Sequence, residues 1–496
     1  MVTKTVVVLG ASYGGAHAAQ LIAAGLLDDW RIILIDRNSH VNHVYILPRL
    51  AVLPGHEHKA FVPCDNIFNL PAGQTDPKKH ILLHAQVLFL SAHAVTLSRA
   101  FPEHDIDTVL SFDFAVYALG SHLPPPLDLW GEQDAKAAPY GGTKPEGIAW
   151  LKRAQEDIAA ARSVLVVGGG ALGIQFATDI AAIHPTTSVT LLHSRTRLLP
   201  RFDERMHSEI LQALESAGIT VVLDERLAPA IPTEKHGVHH TTTGRKIEAD
   251  LLLRCTGQVP NTALLRALDV RVVEDGSGQA RVLRTMQLAV TVPEEEDSSQ
   301  PGPEPSVSEP APEPTLEQTL AQLALSSDAA EQAADDTTAN DAPDATTPYP
   351  HLFAVGDAAA AFGAVPAGHN AYYQAGVAAR NVLRLVRRAV ASEAARHAEE
   401  ESRGRSRFFR GRQPAPVAQP PQGEEEDAEL ERYEPGAPAV KVSLGLTKNV
   451  YEVAGAVGVG KETREDLNAA AIWGYFGCPV AEGEADAEGG EGGMYR

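Results

Sequence analysis

Cysteine is scarce in this chain of 496 residues, which contains only Cys64, Cys255 and Cys478. They are far apart in the sequence and form no C-x-x-C pair, so neither a disulfide framework nor a redox dithiol of the usual spacing is available. We interpret Cys64 and Cys255 as small apolar packing residues. This cysteine usage fits a reducing compartment best.

Long apolar runs are also missing. No stretch reaches the about 18 apolar residues that a membrane-spanning helix needs. A strand-like run begins at Lys4, which leaves no room for a signal or transit peptide, and Val2 excludes N-myristoylation. The sequence therefore predicts a cytoplasmic protein, with a peripheral contact to a membrane left open.

Basic residues are outnumbered by acidic ones. The chain has 42 Lys and Arg and 64 Asp and Glu, which gives a net charge of −22. The excess lies in residues 293–350, which hold fourteen acids, ten prolines and no base, and in residues 420–436 and 481–496. Such segments cannot bury enough apolar surface to become ordered, so we predict disorder over 293–350, 391–436 and 481–496.

Outside the three acidic segments the charge sums to about +2. Five arginines fall between positions 403 and 412. We interpret them as part of a solvated linker, with RNA or membrane contact as the alternative. No larger basic surface is indicated, which argues against nucleic-acid binding.

The N-terminal residues predict a dinucleotide-binding βαβ unit. A buried strand over residues 4–9 leads into the turn G-A-S-Y-G-G at 10–15, then into a helix and a second strand that ends at Asp36. Gly10 permits the tight turn, Ser12 is small enough for the backbone to approach a pyrophosphate, and Gly15 permits close helix packing. Asp36 is placed to accept hydrogen bonds from ribose hydroxyls.

A second unit of the same kind begins at residue 163. Its strand runs into G-G-G-A-L-G at 168–173, followed by a helix and by a strand over 188–192. Two dinucleotide sites in one chain imply two nucleotides bound face to face. Similar strand-to-glycine turns end at Gly120 and Gly257, and the strand over 352–355 leads to Asp357. The fold class predicted is α/β, with two Rossmann-like domains.

With these elements in this order, the sequence resembles flavoproteins with two dinucleotide-binding domains, related to the pyridine nucleotide-disulfide oxidoreductases. Within them it is most similar to the apoptosis-inducing-factor-like group, which includes the ferroptosis suppressor protein and its fungal relatives. The resemblance implies an FAD-binding domain at 1–125 and 250–390, with the NAD(P)H-binding domain, 126–249, inserted in it. It also implies a small C-terminal α+β domain at 437–480, which we expect to be a hairpin followed by a helix over 462–476.

The resemblance also implies the residues that hold each cofactor. Those for FAD are Gly10, Ala11, Ser12, Gly14, Gly15, Asp36, Arg37, Pro48, Arg49, Gly120, Gly356, Asp357, Asn370 and Ala371. Those for NAD(P)H are Gly168, Gly170, Ala171, Gly173, His193, Ser194, Arg195 and Gly257.

Nucleotide choice follows from the end of the second NAD(P) strand. NAD-selective relatives place an acid where His193, Ser194 and Arg195 stand here, and Arg or His can pair with a 2′-phosphate. NADPH is therefore favoured, with NADH use left open. Gln175 replaces a Glu found in many relatives, which leaves the expected position of the nicotinamide open.

The resemblance implies an FAD-dependent NAD(P)H oxidoreductase. Because no dithiol is found, electrons pass from the flavin directly to a small-molecule acceptor, for which we favour a quinone, and no catalytic side chain is required. Dioxygen or an electron-carrier protein are the other acceptors. The alternative function is an NAD(P)H-gated interaction flavoprotein that binds partners through its acidic insertion. A Baeyer–Villiger-type monooxygenase is disfavoured, because its F-x-G-x-x-x-H signature is missing.

Two residue groups have competing interpretations. Four histidines between positions 40 and 58 fit no metal-ligand spacing, so we predict no metal site. Trp473, Tyr475 and Phe476 are interpreted as packing residues of the C-terminal domain, with an interfacial aromatic patch as the alternative.

Overall fold

The computed structural model describes residues 4–68, 79–124, 127–130, 140–229, 237–291, 345–408 and 429–480. The helices of this part are α1 (Tyr13–Gly25), α2 (Leu47–Leu50), α3 (Lys144–Ala160), α4 (Ala171–Ile183), α5 (Glu204–Ser216), α6 (Ala263–Leu268) and α7 (Gly368–Phe408). The strands up to the inserted domain are β1 (Lys4–Leu9), β2 (Trp30–Asp36), β3 (His40–Asn42), β4 (Phe61–Pro63), β5 (Ile81–His84), β6 (Val87–Leu90), β7 (Ala94–Leu97), β8 (Val109–Ser111), β9 (Phe114–Tyr117) and β10 (Ser121–His122). The later strands are β11 (Ser163–Val167), β12 (Ser188–Leu192), β13 (Thr220–Val222), β14 (Val238–His240), β15 (Lys246–Glu248), β16 (Leu251–Arg254), β17 (Val259–Pro260), β18 (Val290–Thr291), β19 (Ala345–Thr346), β20 (Leu352–Ala354), β21 (Ala439–Leu444), β22 (Lys448–Val453) and β23 (Ala456–Lys461).

The first nucleotide-binding unit is built on a parallel sheet with the strand order β20-β9-β1-β2-β5. Its central strands are continuous apolar runs, buried from Val6 to Leu9 and from Ile32 to Ile35, as expected when both faces of a sheet are covered. Helices α1 and α7 pack against each other closely, because Gly25 on α1 leaves room for Leu383 on α7. The predicted order of strand, glycine turn, helix and strand is confirmed here.

The second unit repeats this arrangement in a parallel sheet with the order β13-β12-β11-β16. Strand β16 pairs with β11 over Leu251 to Arg254. The predicted boundary at residue 249 is therefore wrong by a few residues, because it would separate β16 from β11, the strand with which it pairs in this sheet. The inserted domain ends after β16.

The two connections between the domains run side by side. Strand β10, which follows Gly120, pairs antiparallel with β17, which follows Gly257; Ser121 lies opposite Pro260 and His122 opposite Val259. Asn261 ties the pair together, since its amide donates to the carbonyl of Leu119 and its backbone N–H donates to Gly120. Both crossings thus form one short two-stranded link.

Parts of two segments predicted as disordered are structured. At the end of the acidic insertion, β19 pairs with β18, so the chain returns to the strand from which it departed. Helix α7 extends past residue 391 to Phe408, and residues 429–436 dock on it because Glu431 pairs with Arg380 and Tyr433 is buried. The disorder predictions for 293–344, 409–428 and 481–496 lie outside the described residues.

The C-terminal domain differs from the expected hairpin and helix. It is a three-stranded antiparallel sheet, β21-β22-β23, followed by a 3-10 helix over Ala469–Phe476. The expected helix from 462 is wrong because Leu467 and Asn468 adopt positive φ and end any helix before residue 469. Trp473 and Phe476 are buried, which confirms the packing interpretation for these two, whereas Tyr475 is 37% exposed.

Candidate functional site

The first glycine turn lies between β1 and α1. Gly10 has φ +98°, and a Cβ built on Gly15 would lie 1.8 Å from the carbonyl oxygen of Gly10. Only glycine at position 15 lets the helix begin this close to the strand. Ser12 is the N-cap of α1, and Gly14 contacts Ala371 at the beginning of α7. The N-termini of α1 and α7 therefore meet, and their dipoles favour an anionic group at this point.

Asp36 closes the same turn from the end of β2. One carboxylate oxygen accepts from the backbone N–H of Ala11 at 2.7 Å, and the other accepts from the backbone and side chain of Asn38. Burial raises the pKa of Asp36, while these hydrogen bonds act in the opposite direction. The predicted ribose-binding carboxylate thus stands beside the glycine turn.

The third element of the FAD half is the turn after β20. The backbone N–H of Gly356 donates to the Gln374 side chain, and the Asp357 carboxylate accepts from the hydroxyl of Ser121 at 2.9 Å. Burial raises the pKa of Asp357. The side-chain amide of Asn370 donates to the backbone carbonyl of Val365. Since Ser121 opens β10, the link between the domains touches the carboxylate predicted to bind the flavin.

The second glycine turn joins β11 to α4. Gly168 has φ +118°, and a Cβ on Gly173 would lie 1.9 Å from the carbonyl oxygen of Gly168. A Cβ built on Gly170, by contrast, would lie more than 4 Å from every other atom considered around it. The turn is therefore tight on the strand side and open toward Ala171, the first residue of α4, where a pyrophosphate can approach the backbone.

His193 has a role that its position in the sequence did not indicate. Its Nδ1 accepts from the backbone N–H of Gly169 at 3.1 Å, and its Nε2 lies 3.0 Å from the carbonyl oxygen of Arg197. Both ring nitrogens thus hold the glycine turn and the following loop. Ser194 and Arg195, the next two residues of the predicted 2′-phosphate site, are half-buried.

Pro48 and Arg49 were expected beside FAD. Both are buried in α2, and the Arg49 guanidinium is directed to Asp179 on α4 and to Ser443 and the carbonyl of Gly445 in the C-terminal domain. Arg49 therefore joins the three domains. Its sequence context gave no sign of these partners, which lie more than a hundred residues away.

The cysteines are placed differently from what their spacing indicated. Cys478 lies near Cys64, since its thiol donates to the carbonyl oxygen of Pro63, the preceding residue, at 3.6 Å. Burial raises the pKa of both. The negative charge of Asp36 raises the pKa of Cys64 further. Cys255 is buried behind the second glycine turn, where its carbonyl faces Gly168.

Sequence reasoning missed several residues near the first turn. The hydroxyl of Tyr45 accepts from the backbone N–H of Gly368, the first residue of α7, and Tyr13 packs on both. The Arg37 guanidinium stacks on the Trp130 ring, and the Tyr140 ring meets Trp130 edge-on. An aromatic residue inside a glycine turn, as at position 13, is the one signal that could have indicated this cluster. In the described ranges no group of three or more His, Cys, Asp or Glu residues could hold a metal ion, and no helix is long and apolar enough to cross a bilayer.

These two turns, each with its sheet and helix, match a known family. The model of the pyridine nucleotide-disulphide oxidoreductases covers residues 4–291. The chain belongs to this family. Fe-regulated protein 8 of Mycosarcoma maydis is 34% identical over 474 residues, which are 95% of this chain and 94% of that protein.

Other relatives and solved structures are less similar in sequence. The ferroptosis suppressor protein 1 of Xenopus laevis is 24% identical over 281 residues, which are 55% of this chain and 68% of that protein. The fold is also that of the sulfide:quinone oxidoreductase from Aquifex aeolicus, with a TM-score of 0.56 at 13% identity over 95% of this chain and 90% of that one. As an NAD(P)H-dependent flavoprotein of the pyridine nucleotide-disulphide oxidoreductase family, the chain binds FAD and NAD(P)H.

Proposed function

We propose that the protein transfers a hydride from NAD(P)H to FAD and passes the electrons from FAD directly to a quinone, without a thiol intermediate. Bound FAD supplies the hydride-accepting and electron-releasing chemistry. The observation that carries the choice of a quinone is an aromatic wall at the N-terminal end of α7. The wall consists of Tyr13, Tyr45, Tyr372, Tyr475 and Phe476.

The rings of the aromatic wall are in mutual contact. The Tyr13 ring lies 5.7 Å from that of Tyr45 and 6.3 Å from that of Phe476, and Tyr475 follows at 5.3 Å from Phe476. Tyr45 is 47% exposed, so the wall can be reached from solvent. Contacts between flat rings favour a planar, uncharged acceptor such as a quinone ring.

Reduction of a quinone to a quinol also consumes protons. Within the wall the Tyr13 hydroxyl lies 2.8 Å from Nδ1 of His43. Burial lowers the pKa of His43 to about 4 and raises that of Tyr13, so at pH 7 the two groups form a neutral hydrogen-bonded pair that can orient the carbonyl oxygen of a quinone. Cys64 and Cys255 are buried in the apolar cores, and burial raises the pKa of each thiol, which supports electron transfer without a thiolate.

We further propose that NADPH is preferred, because the end of β12 carries Ser194 and Arg195 rather than an acid. We place the protein in the cytoplasm with a peripheral contact to membranes. Support for that contact comes from the exposed apolar and aromatic residues next to the wall, Val44 and Tyr373, which are 47% and 62% exposed.

The test is an acceptor panel measured on flavin-loaded protein with NADH and with NADPH. Oxidation of NADPH should accelerate when a short-chain ubiquinone or menadione is added. Tyr475→Ala should raise the KM for the quinone while the rate with ferricyanide is unchanged. Tyr451→Ala, in an equally exposed tyrosine of β22, is the control. If fully flavin-loaded protein shows no quinone-dependent turnover, the proposal fails.

The alternative is an NAD(P)H-gated interaction protein. Pairing of β18 with β19 favours it in one respect, since the acidic insertion leaves and re-enters the fold at one place. Replacing residues 293–344 with a short Gly-Ser linker separates the two functions. An unchanged rate together with the loss of a partner in pull-down assays would favour interaction, and a reduced rate would give the insertion an enzymatic role.

A further inference from the structure

The segment that precedes the C-terminal sheet crosses α7 as an irregular chain. Residues 429–436, which we name the strap, belong to no helix or strand of the structure. Tyr433 is 2% exposed, while its neighbours Arg432 and Glu434 are exposed. One buried ring between exposed residues is the pattern of a linear peptide bound to a folded surface, with the ring as its anchor.

The backbone of the strap is bound by side chains and backbone of the FAD-binding unit. Oδ1 of Asn381 accepts from the backbone N–H of Glu431 at 2.7 Å, and Nδ2 of Asn381 donates to the carbonyl oxygen of Glu431 at 2.8 Å. Asn381, on α7, is fully buried. Arg284 does the same for Tyr433, since its carbonyl oxygen accepts from the Tyr433 N–H and its guanidinium donates to the Tyr433 carbonyl oxygen at 3.2 Å. The polar backbone groups of both residues are thus satisfied as in a peptide complex.

The docking surface also complements the charge of the strap. Arg380 on α7 donates to both carboxylate oxygens of Glu431, at 2.7 Å from Nε and 2.5 Å from Nη2, which is a bidentate pair. Arg384 lies 3.7 Å from the same carboxylate. The Arg380 guanidinium holds the pKa of Glu431 below its usual range, so the carboxylate is charged at pH 7. The surface therefore selects an acid at this position of the strap.

The anchor ring reaches the turn that follows β20. The Tyr433 hydroxyl is buried beside the side chain of Gln374, which is itself 3% exposed. Oε1 of Gln374 accepts from the backbone N–H of Gly356 at 2.7 Å, one residue before Asp357. These last three residues line one cavity at the beginning of α7. One side chain thus separates the strap from the turn predicted to hold the flavin.

We propose that α7 and the chain around Arg284 form a peptide-recognition site for the pattern acid-x-tyrosine, and that residues 431–433 are its occupant within this chain. Arg380 binds the acid, and the ring enters the pocket beside Gln374. Occupancy of this pocket holds Gln374 in place and, with it, the flavin-binding turn. Detachment of the strap therefore weakens FAD binding, and a free peptide of the same sequence can replace the strap.

The first test measures binding of a free peptide to the flavin-loaded, full-length protein. A fluorescein-labelled peptide of residues 429–437 is titrated into the unmodified protein and into the strap variant Glu431→Lys, Tyr433→Ala, and the anisotropy is recorded. The peptide should bind the strap variant about tenfold or more tightly than the unmodified protein, because there the tethered strap competes at a high effective concentration. A control peptide that carries Tyr433→Ala should bind neither protein.

The second test measures the dissociation constant of FAD, from the rise in flavin fluorescence when the loaded protein is diluted. FAD should bind the strap variant about fivefold more weakly, and saturation with the free peptide should restore the affinity. FAD should in turn tighten binding of the peptide by the same factor, since coupling between two sites is reciprocal. Tyr451→Ala, in an exposed tyrosine of β22, is the control and should change neither binding constant.

Melting temperatures check that the variants retain the fold, and Glu431→Arg alone replaces the double variant if that variant does not fold. The proposal is overturned if the peptide does not bind a folded strap variant. It is equally overturned if saturation with the peptide leaves the FAD dissociation constant of that variant unchanged, because the strap would then have no influence on the flavin-binding turn.

Discussion

Arg49 and Asp179 form a fully buried ion pair, with Nε of Arg49 2.8 Å from Oδ2 of Asp179 and neither side chain exposed. The pair joins α2 of the FAD-binding unit to α4, the helix that begins at the NAD(P)H-binding turn. Arg49 also donates to Ser443 in the C-terminal sheet. Three domains are thus held by one guanidinium, and removing its counter-charge should affect all of them.

We predict that Asp179→Leu lowers the free energy of unfolding by about 3 to 5 kcal/mol, because it leaves Arg49 charged and buried without a counter-charge. The double variant Arg49→Met, Asp179→Leu should recover at least half of that loss, because both charges are then absent. Urea denaturation measures both. Glu248→Gln, which removes the exposed pair with Lys246, should cost less than about 1 kcal/mol. Equal losses in the single and double variants would contradict the prediction.

The two glycine turns provide a matched pair of substitutions. Gly15→Ala should greatly reduce the FAD content of the purified protein, because its Cβ would clash with the carbonyl of Gly10. Gly173→Ala produces the same clash with Gly168 in the other domain. Gly173→Ala should therefore leave the FAD content unchanged and abolish NADPH binding. Absorbance at 450 nm and NADPH titration distinguish the two, and loss of FAD in both variants would contradict separate sites.

Nucleotide preference should depend on Arg195 and not on His193. Arg195→Glu should raise the KM for NADPH by about tenfold or more and leave that for NADH unchanged or lower, because a carboxylate repels the 2′-phosphate. His193→Ala should raise both KM values alike, since His193 holds Gly169. Steady-state kinetics with both nucleotides measure this. A selective loss of NADPH use in His193→Ala would reverse the assignment.

Turnover should not require cysteine. We expect the variant Cys64→Ala, Cys255→Ala, Cys478→Ser to keep its flavin and at least half of its kcat with a quinone, because electrons leave FAD directly. Because Cys64 and Cys255 are buried, we expect some loss of stability. Stopped-flow reduction by NADPH and reoxidation by the quinone check the claim. Flavin reduction at the normal rate followed by stalled reoxidation would instead indicate that the Cys64 and Cys478 thiols carry electrons.

Stability should fall as the pH is lowered below 6.5. Burial lowers the pKa of His40 and of His43 from 6.5 to about 4. Between these values the unfolded chain binds a proton at each residue that the folded chain does not, so each contributes stability that is complete above pH 6.5 and lost toward pH 4. The loss is about 3 kcal/mol for each histidine.

Urea midpoints measured from pH 7.5 to 4.5 test this prediction. His40→Gln and His43→Gln should each show a weaker dependence on pH than the unmodified protein. His104→Gln, at an exposed position, should show the same dependence as the unmodified protein. Curves that coincide for all four proteins would rule out these histidines as the cause.

The sequence by itself determined the two nucleotide-binding units. Gly10, Gly15, Gly168 and Gly173 could be assigned from local spacing, because a turn that tight excludes any side chain and leaves a short pattern within six residues. The buried strands were equally visible, since each is a continuous apolar run. The role of Asp36 was predicted from its position at the end of a strand.

Tertiary structure decided what depends on contacts between distant segments. Arg49 in the sequence is an arginine after a proline, and only folding brings Asp179 and Ser443 around it. Trp130 and Tyr140 likewise lie near Arg37 only in the folded protein, where the segment before α3 packs against the residues that follow β2. Side-chain partners separated by a hundred residues or more leave no periodic signal along the chain, so the sequence predicted where the cofactors bind but not which residues join the domains around them.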